Sequence, residues 1–418
     1  MGRVLADLTP LRASPPFRRL WAATGIGTIG QQVMAVAVAL QVYQLTESSL
    51  MVGLVGVFQL VPLVIMGLYG GSLSDAFDRR KVALLTAIGT WTCAAAFVAQ
   101  SLVGLQSVWL LYALVAVHAG LYAVGSPAYR SIIPRLVPVE LLPATNALGM
   151  MTFTLGFTLG PLLCGGIVAA TGTVTAAYAL DFVMYAAAVW AMWRLPAMPP
   201  VPTSGEVPRA GWRSVAEGIR FLRGKRNLQM SFYIDIVAMV FGAPRALFPA
   251  IATLWYADSL AGAATVVGLL SAAPAVGALV ASVLSGPLGR VRRHGLAVVI
   301  CVLVWGVAVT GFGLVRVLPL ALLLLVIAGG ADTVSAIFRN TIMQASVEDD
   351  YRGRLSGIYT VVVAGGSRAG DVEAGLVAGA LGEAVSVVSG GIACLIGTGL
   401  LVAAFPAFLR YDARHPVP

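Results

Sequence analysis

The stretch LMVGLVGVFQLVPLVIMGLYGGSLSDAFDRRK, residues 50–81, carries the pattern that decides the fold. Residues 50–73 hold no charge, and Asp75, Asp78, Arg79, Arg80 and Lys81 follow at once. A helix needs about 20 mainly apolar residues to cross a bilayer. The run therefore reads as a membrane span, and the charged turn as its exit into water. The rest of the chain is built the same way. Of its 418 residues 59% are hydrophobic and 11% are charged, with mean hydropathy +0.89. A soluble domain is about 25% charged. So little charge cannot cover a water-facing surface, which excludes a soluble enzyme, a DNA-binding protein and a disordered scaffold.

Outward from that stretch, apolar runs of spanning length recur at 20–44, 50–73, 82–103, 107–129, 144–170, 174–194, 228–255, 262–288, 295–315, 318–338, 355–380 and 385–408. Most are apolar on every face, as membrane helices are. The sequence thus predicts an all-α membrane protein with twelve transmembrane helices in two six-helix halves. The expected division is 1–194, a central cytoplasmic loop at 195–227 rich in Pro, Gly and Arg, and 228–418. Within that loop, Trp212 to Arg226 has the pattern of an amphipathic surface helix. Cytoplasmic loops are enriched in Lys and Arg. With both termini cytoplasmic, all of the 27 basic residues except Arg245, Arg316 and Arg368 fall on that side. The net charge of +9 is then a topology signal facing anionic membrane lipids, not a nucleic-acid footprint. The basic N-terminus reads as a retained cytoplasmic arm, because the apolar run behind it is too long for a signal peptide core.

The two halves share weak internal similarity. YRSIIPRLVPVE, 129–140, follows the fourth run and FRNTIMQASVED, 338–349, follows the tenth, so Arg130 corresponds to Arg339. Parallel halves of this kind are one transporter plan. Cys93, Cys164, Cys301 and Cys394 lie in apolar stretches without a C-x-x-C partner, so neither a metal site nor a disulfide framework is expected. There is no phosphate-binding loop and no H-E-x-x-H. The chain reads as no enzyme, with no cofactor, and an ion gradient or the substrate's own gradient must supply the energy.

The segment Gly71-Ser-Leu-Ser-Asp75-Ala-Phe-Asp-Arg79-Arg80-Lys81 resembles the loop between helices two and three of the major facilitator superfamily, with Ala76 and Asp78 departing from its pattern. Gly156-Phe-Thr-Leu-Gly160-Pro161 resembles the fifth-helix motif of that superfamily's antiporters. Pro127-Ala-Tyr-Arg130, Pro134 to Pro138 and Ala144-Thr-Asn146 look like its secretion-effector branch, and Pro244-Arg245-Ala246-Leu247-Phe248-Pro249 with Gly370-Asp371 are similar to the siderophore exporters within that branch. The resemblance implies the major facilitator fold and export by alternating access. It also implies gating residues: Gly71, Asp75, Arg79, Arg80, Arg130, Gly160 and Pro161, with Asp75 and Arg130 forming a latch. Two features depart from the drug–proton antiporters. Ala116 stands four residues before Gly120 where they carry Arg, and the first run has Gln31 and Gln32 but no acid.

Ionisable residues inside spans are costly and are functional candidates by default. Asp371, Glu373 and Asp235 are the proton-coupling candidates, with Asp181 and Asp332 behind them. Arg368 and Asp371 stand at i, i+3 and can pair, as a coupling device or as a static ion pair. Asp332 precedes Arg339 by two turns on the same face. Asp235 and Arg245 are ten residues apart in one run, too far to pair, and Pro244 should kink the helix there. Arg245 either faces a cavity and holds an anion or snorkels to the interface. Gln31, Gln32, Gln59, His118, Tyr122 and Arg368 complete the substrate-binding candidates, with Gln41 a further cavity-lining residue. A lone helical His such as His118 also serves as a packing residue.

The resulting expectation is a monomeric exporter in the cell membrane that exchanges a siderophore-like amphipathic small molecule for protons. A broad multidrug antiporter is the alternative. A receptor, channel or lipid enzyme fits poorly, because there are gating motifs and no catalytic groups.

Overall fold

A computed structural model describes residues 7–199, 220, 225–257, 259–286, 288, 291–345 and 349–412, without the side chains of 68–72, 74–76 and 344–364. Among the described residues there is no strand beyond one isolated bridge between Arg293 and Asp412. The described residues form twelve long helices, each matching one of the apolar runs. They are α1 (Pro15–Thr46), α2 (Ser49–Ala76), α3 (Arg79–Val103), α4 (Val108–Leu136), α5 (Leu142–Thr171) and α6 (Thr175–Trp193). Then come α7 (Arg226–Phe241), α8 (Leu260–Val283), α9 (His294–Leu314), α10 (Leu318–Ala345), α11 (Asp349–Leu381) and α12 (Glu383–Ala404). Eleven of these segments are long and apolar enough to cross a membrane, counting α7 with its extension to Tyr256, and α11 is the twelfth long helix. The protein is a multi-pass, all-α membrane protein.

The residues group into two compact units, one drawn from Met1–Leu45 and Phe58–Ala210, the other from Thr46–Val57 and Gly211–Pro418. In the first unit the turn after α2 owes its shape to Asp78. Its carboxylate accepts hydrogen bonds from the backbone N–H groups of Arg80 (2.9 Å) and Lys81 (3.4 Å), capping α3. It also accepts one from Met198 N–H (3.2 Å), which fixes the segment leaving α6. Orphan N–H groups at a helix start need such an acceptor, so the departure from the family pattern at Asp78 is a working cap. Arg80 donates to the Trp193 carbonyl (2.6 Å), and Arg135 to the Pro199 carbonyl (2.9 Å). Leu20, Ala83, Ala87, Ala128, Ile132 and Met192 form the buried core beneath this end.

Helices α1 and α5 touch backbone to backbone. A Cβ on Gly156 would sit 2.7 Å from the Thr28 methyl, and one on Gly160 would meet the Gln32 Cβ and lie 2.9 Å from the Ile29 carbonyl. Small residues allow membrane helices to approach this closely. Deeper in the same unit, Gln41 and Gln100 hydrogen-bond each other reciprocally (3.2 and 3.0 Å), and the Tyr178 hydroxyl donates to Gln41 Oε1 (2.7 Å). All three are buried and tie α1, α3 and α6 together.

In the second unit α7 is broken, as Pro244 predicts. The helix stops at Phe241, and a 3₁₀ turn at Pro244–Leu247, a short α turn at Phe248–Ile251 and a π turn at Ala252–Tyr256 complete the segment. Proline supplies no N–H and forces the carbonyls before it to find other donors. The Gly242 carbonyl takes the Trp305 indole N–H at 3.0 Å. Only glycine fits there, because a Cβ would run into that same indole nitrogen.

Candidate functional site

The first unit contains a cavity of about 560 Å³, within the size range of small-molecule sites. Residues of α1, α3, α4, α5 and α6 line it. Its polar groups include Gln31 and Thr28 on α1, Thr86 and Thr90 on α3, Tyr122 and Tyr129 on α4, Asn146 on α5 and Tyr185 on α6. Among the described residues, Arg130 is the only charged one in the lining, and no carboxylate is present there. Of the sequence candidates, the structure brings Gln31, Tyr122 and Arg130 together here. Gln32, Gln59 and His118 do not line it: Gln32 packs against Gly160, and His118 turns a buried Nε2 with no hydrogen-bond partner into the unit's interior. Gln41 is likewise buried in the α1–α3–α6 network and away from the cavity. The latch expected between Asp75 and Arg130 involves the Asp75 side chain, and that of Gly71 the neighbouring turn; both positions lie outside the described side chains.

The second unit holds a buried acid–base cluster. Arg339, 3% exposed, pairs with Asp235, 0% exposed, and also reaches Asp332 at 3.5 Å. This is the partner Asp235 could not find in Arg245, ten residues along its own segment. The pairing of Asp332 with Arg339, two turns apart, is as the spacing predicts. Arg368 and Asp371 form the i, i+3 pair at 3.8 Å, with Arg368 the more exposed member. Asp371 also accepts from the Ala246 backbone N–H, at the start of the helical segment beyond the break in α7. A carboxylate at such a start is favoured by the exposed N–H groups. Arg245 is exposed and within electrostatic reach of Asp332, Asp371 and Arg368. Glu373 is half-buried, apart from these pairs. Tight packing carries α11 past this cluster: a Cβ on Gly375 would sit 2.7 Å from Leu50 Cα, and Gly53 abuts the Asp371 backbone.

Twelve long helices in two units, a buried ion-pair cluster, and a cavity with no metal cluster or catalytic constellation among the described residues point to a carrier. The family profile of the transmembrane secretion effectors matches residues 5–413. The chain belongs to that family. It is 29% identical to the enterobactin exporter EntS of Citrobacter koseri, over 99% of this chain and 97% of that one. The identity is also 29% to the enterobactin exporter of Shigella boydii serotype 18, over 95% and 92%. Among solved structures, it resembles a mutant of the peptide transporter POT with TM-score 0.75 at 12% identity, covering 95% of each chain. It also resembles the occupied, inward-facing bacterial homolog of the lysosomal transporter Spinster, with TM-score 0.73 at 17% identity, over 96% and 98%. The fold is that of the major facilitator superfamily. Family and relatives are transporters of the export class, and the chain is a transporter rather than an enzyme.

Asp78 as cap and strap and Trp305 at the helix break had no role in the sequence analysis, and of the two acids that meet Arg339 only Asp332 was expected there. Arg339 had a usable signal. It is the only basic residue in α10, so an acid on a helix packed against α10 has one cation to meet there.

Proposed function

We propose that the protein exports a siderophore-like, amphipathic anion across the cell membrane, working as a monomer by alternating access with both termini cytoplasmic, in exchange for protons. The observation that carries the substrate reading is the cavity of the first unit: its described lining residues supply one guanidinium, three tyrosines, amides and hydroxyls, and no acid. A site for cationic drugs would place a carboxylate there. Guanidinium binds carboxylates and phenolates through a planar fork, and relatives over the full length of the chain carry the name enterobactin exporter. Arg130 is the proposed anion anchor, with Gln31 and Tyr122 orienting the ligand. In the second unit, Arg245 and Arg368 are the proposed substrate-binding cations.

For proton coupling, Asp371 is the proposed carrier in the second unit. Its partner Arg368 is 3.8 Å away and 41% exposed, so this is the pair that opens with least loss. Asp235 is held by a buried Arg339, and Glu373 is the subsidiary candidate. Multidrug efflux is the competing reading.

The test is binding of enterobactin to the detergent-solubilised protein, followed by tryptophan fluorescence. Arg130→Gln removes a charge-assisted contact worth about 1.5–3 kcal/mol, so affinity should fall about tenfold or more while binding of ethidium stays within about twofold. Equal losses for both ligands, or none for enterobactin, would discard the anion site.

A further inference from the structure

The aspartates with described side chains in the spans differ in one respect that separates the two units. Asp235, Asp332 and Asp371 each have an arginine within ion-pair distance. Asp181, in α6 of the first unit, is 2% exposed and forms no ion pair among the described residues. Its Oδ1 is buried and has no hydrogen-bond partner.

The groups around it are few. On α1 it faces Gly30, where a Cβ would lie 2.7 Å from Oδ1, so the carboxyl occupies a notch that no side chain fills. On α3 the titratable neighbour is Cys93, whose thiol is engaged with the Leu114 carbonyl of α4 at 3.3 Å. That thiol also contacts the backbone of His118. On α6 itself the neighbour is Tyr185, one turn along. No cation stands among these groups.

Tyr185 links the buried acid to solvent space. It lines the cavity, and its hydroxyl is hydrogen-bonded with Thr90, another lining residue. Asp181 is therefore one helical turn behind a cavity wall made of hydroxyl groups. An ionised carboxylate with neither cation nor donor is the costliest state a membrane interior can hold, and a proton is the one counter-charge that fits the Gly30 notch.

We propose that Asp181 is a proton-binding site of the first unit, exchanging its proton with the cavity past the Tyr185 phenol and separate from the acid–base cluster of the second unit. The acid is neutral while the wall is closed, and it releases the proton when water from the cavity reaches it. Its part in transport rests on the proton-exchange reading above; its protonation does not.

The experiment has two arms on the purified full chain. In proteoliposomes with enterobactin as probe, an imposed proton gradient should drive accumulation in the wild type. Asp181→Asn, which mimics the protonated group in shape, should lower that accumulation at least tenfold while labelled enterobactin still exchanges for unlabelled. In infrared spectra at neutral pH, the carbonyl band of a protonated carboxyl should be present in the wild type and in Asp371→Asn, and reduced by one group in Asp181→Asn. If Asp181→Asn does not fold, Asp181→Ser and alkaline titration of the wild-type band replace it. Wild-type accumulation in the variant, or an unchanged infrared band, overturns the proposal. A wild type that ignores the gradient overturns the proton-exchange reading instead, and the infrared band then decides Asp181 by itself.

Discussion

Replacing Arg339 with methionine should destabilise the protein more than any other single loss of charge in the spans. The substitution keeps volume and removes the guanidinium from a site where it is 3% exposed. Asp235, fully buried, then has no cation, and Asp332 loses its contact as well. Breaking a buried pair by removing one partner costs about 3–5 kcal/mol, because the remaining charge is left uncompensated. Asp332 has a 30% exposed side chain and contributes little to that sum. For a unit of about 200 residues, each kcal/mol lowers Tm by about 2–4 °C, so the expected drop is about 6–20 °C. Buried Cys164 and Cys394 make the assay direct: a thiol-reactive fluorophore reports their exposure as detergent-solubilised protein is heated. Adding Asp235→Asn to the Arg339→Met protein removes the stranded charge and should restore more than half of the loss. A single variant melting within about 2 °C of wild type, or a double variant no better than the single, would refute the ion-pair argument.

Three further outcomes are expected. Gln41→Leu strands the Tyr178 hydroxyl and the Gln100 amide; at about 0.6 kcal/mol for each of these intramembrane bonds, the loss should be about 2 kcal/mol in the same melting assay, with enterobactin binding unchanged. Gly160→Leu forces α1 and α5 apart where their backbones touch, costing about 1–3 kcal/mol and slowing transport in proteoliposomes more than binding. Asp75→Asn, at the position the family resemblance makes a latch, should abolish transport while leaving membrane insertion intact, read by comparing vesicle uptake with membrane yield.

The helices were legible because lipid demands length and apolarity at once, and both can be counted along residues 50–73 as along every other run. The break in α7 was legible for a similar reason, since Pro244 removes a donor wherever it falls in a helix. Pairings within one helix could also be read: Arg368 with Asp371, and Asp332 with Arg339, are matters of turn spacing. Pairings between helices could not. That Asp235 meets Arg339 depends on how α7 packs against α10, and apolar faces all around each helix give no direction to that packing. The same limit explains the glutamines. Gln31 and Gln32 are adjacent in sequence, yet one lines the cavity and the other packs on Gly160, because neighbours on a helix point about 100° apart.

The central claim is export of a siderophore-like anion, and secretion tests it most directly. Cells with and without the gene are grown under iron limitation and iron repletion, and siderophore is quantified inside and outside the cells. The account predicts that iron-limited cells lacking the gene retain siderophore internally and release less, with no difference in iron-replete cells. Equal release under iron limitation, with cells lacking the gene instead more sensitive to unrelated cationic drugs, would contradict it.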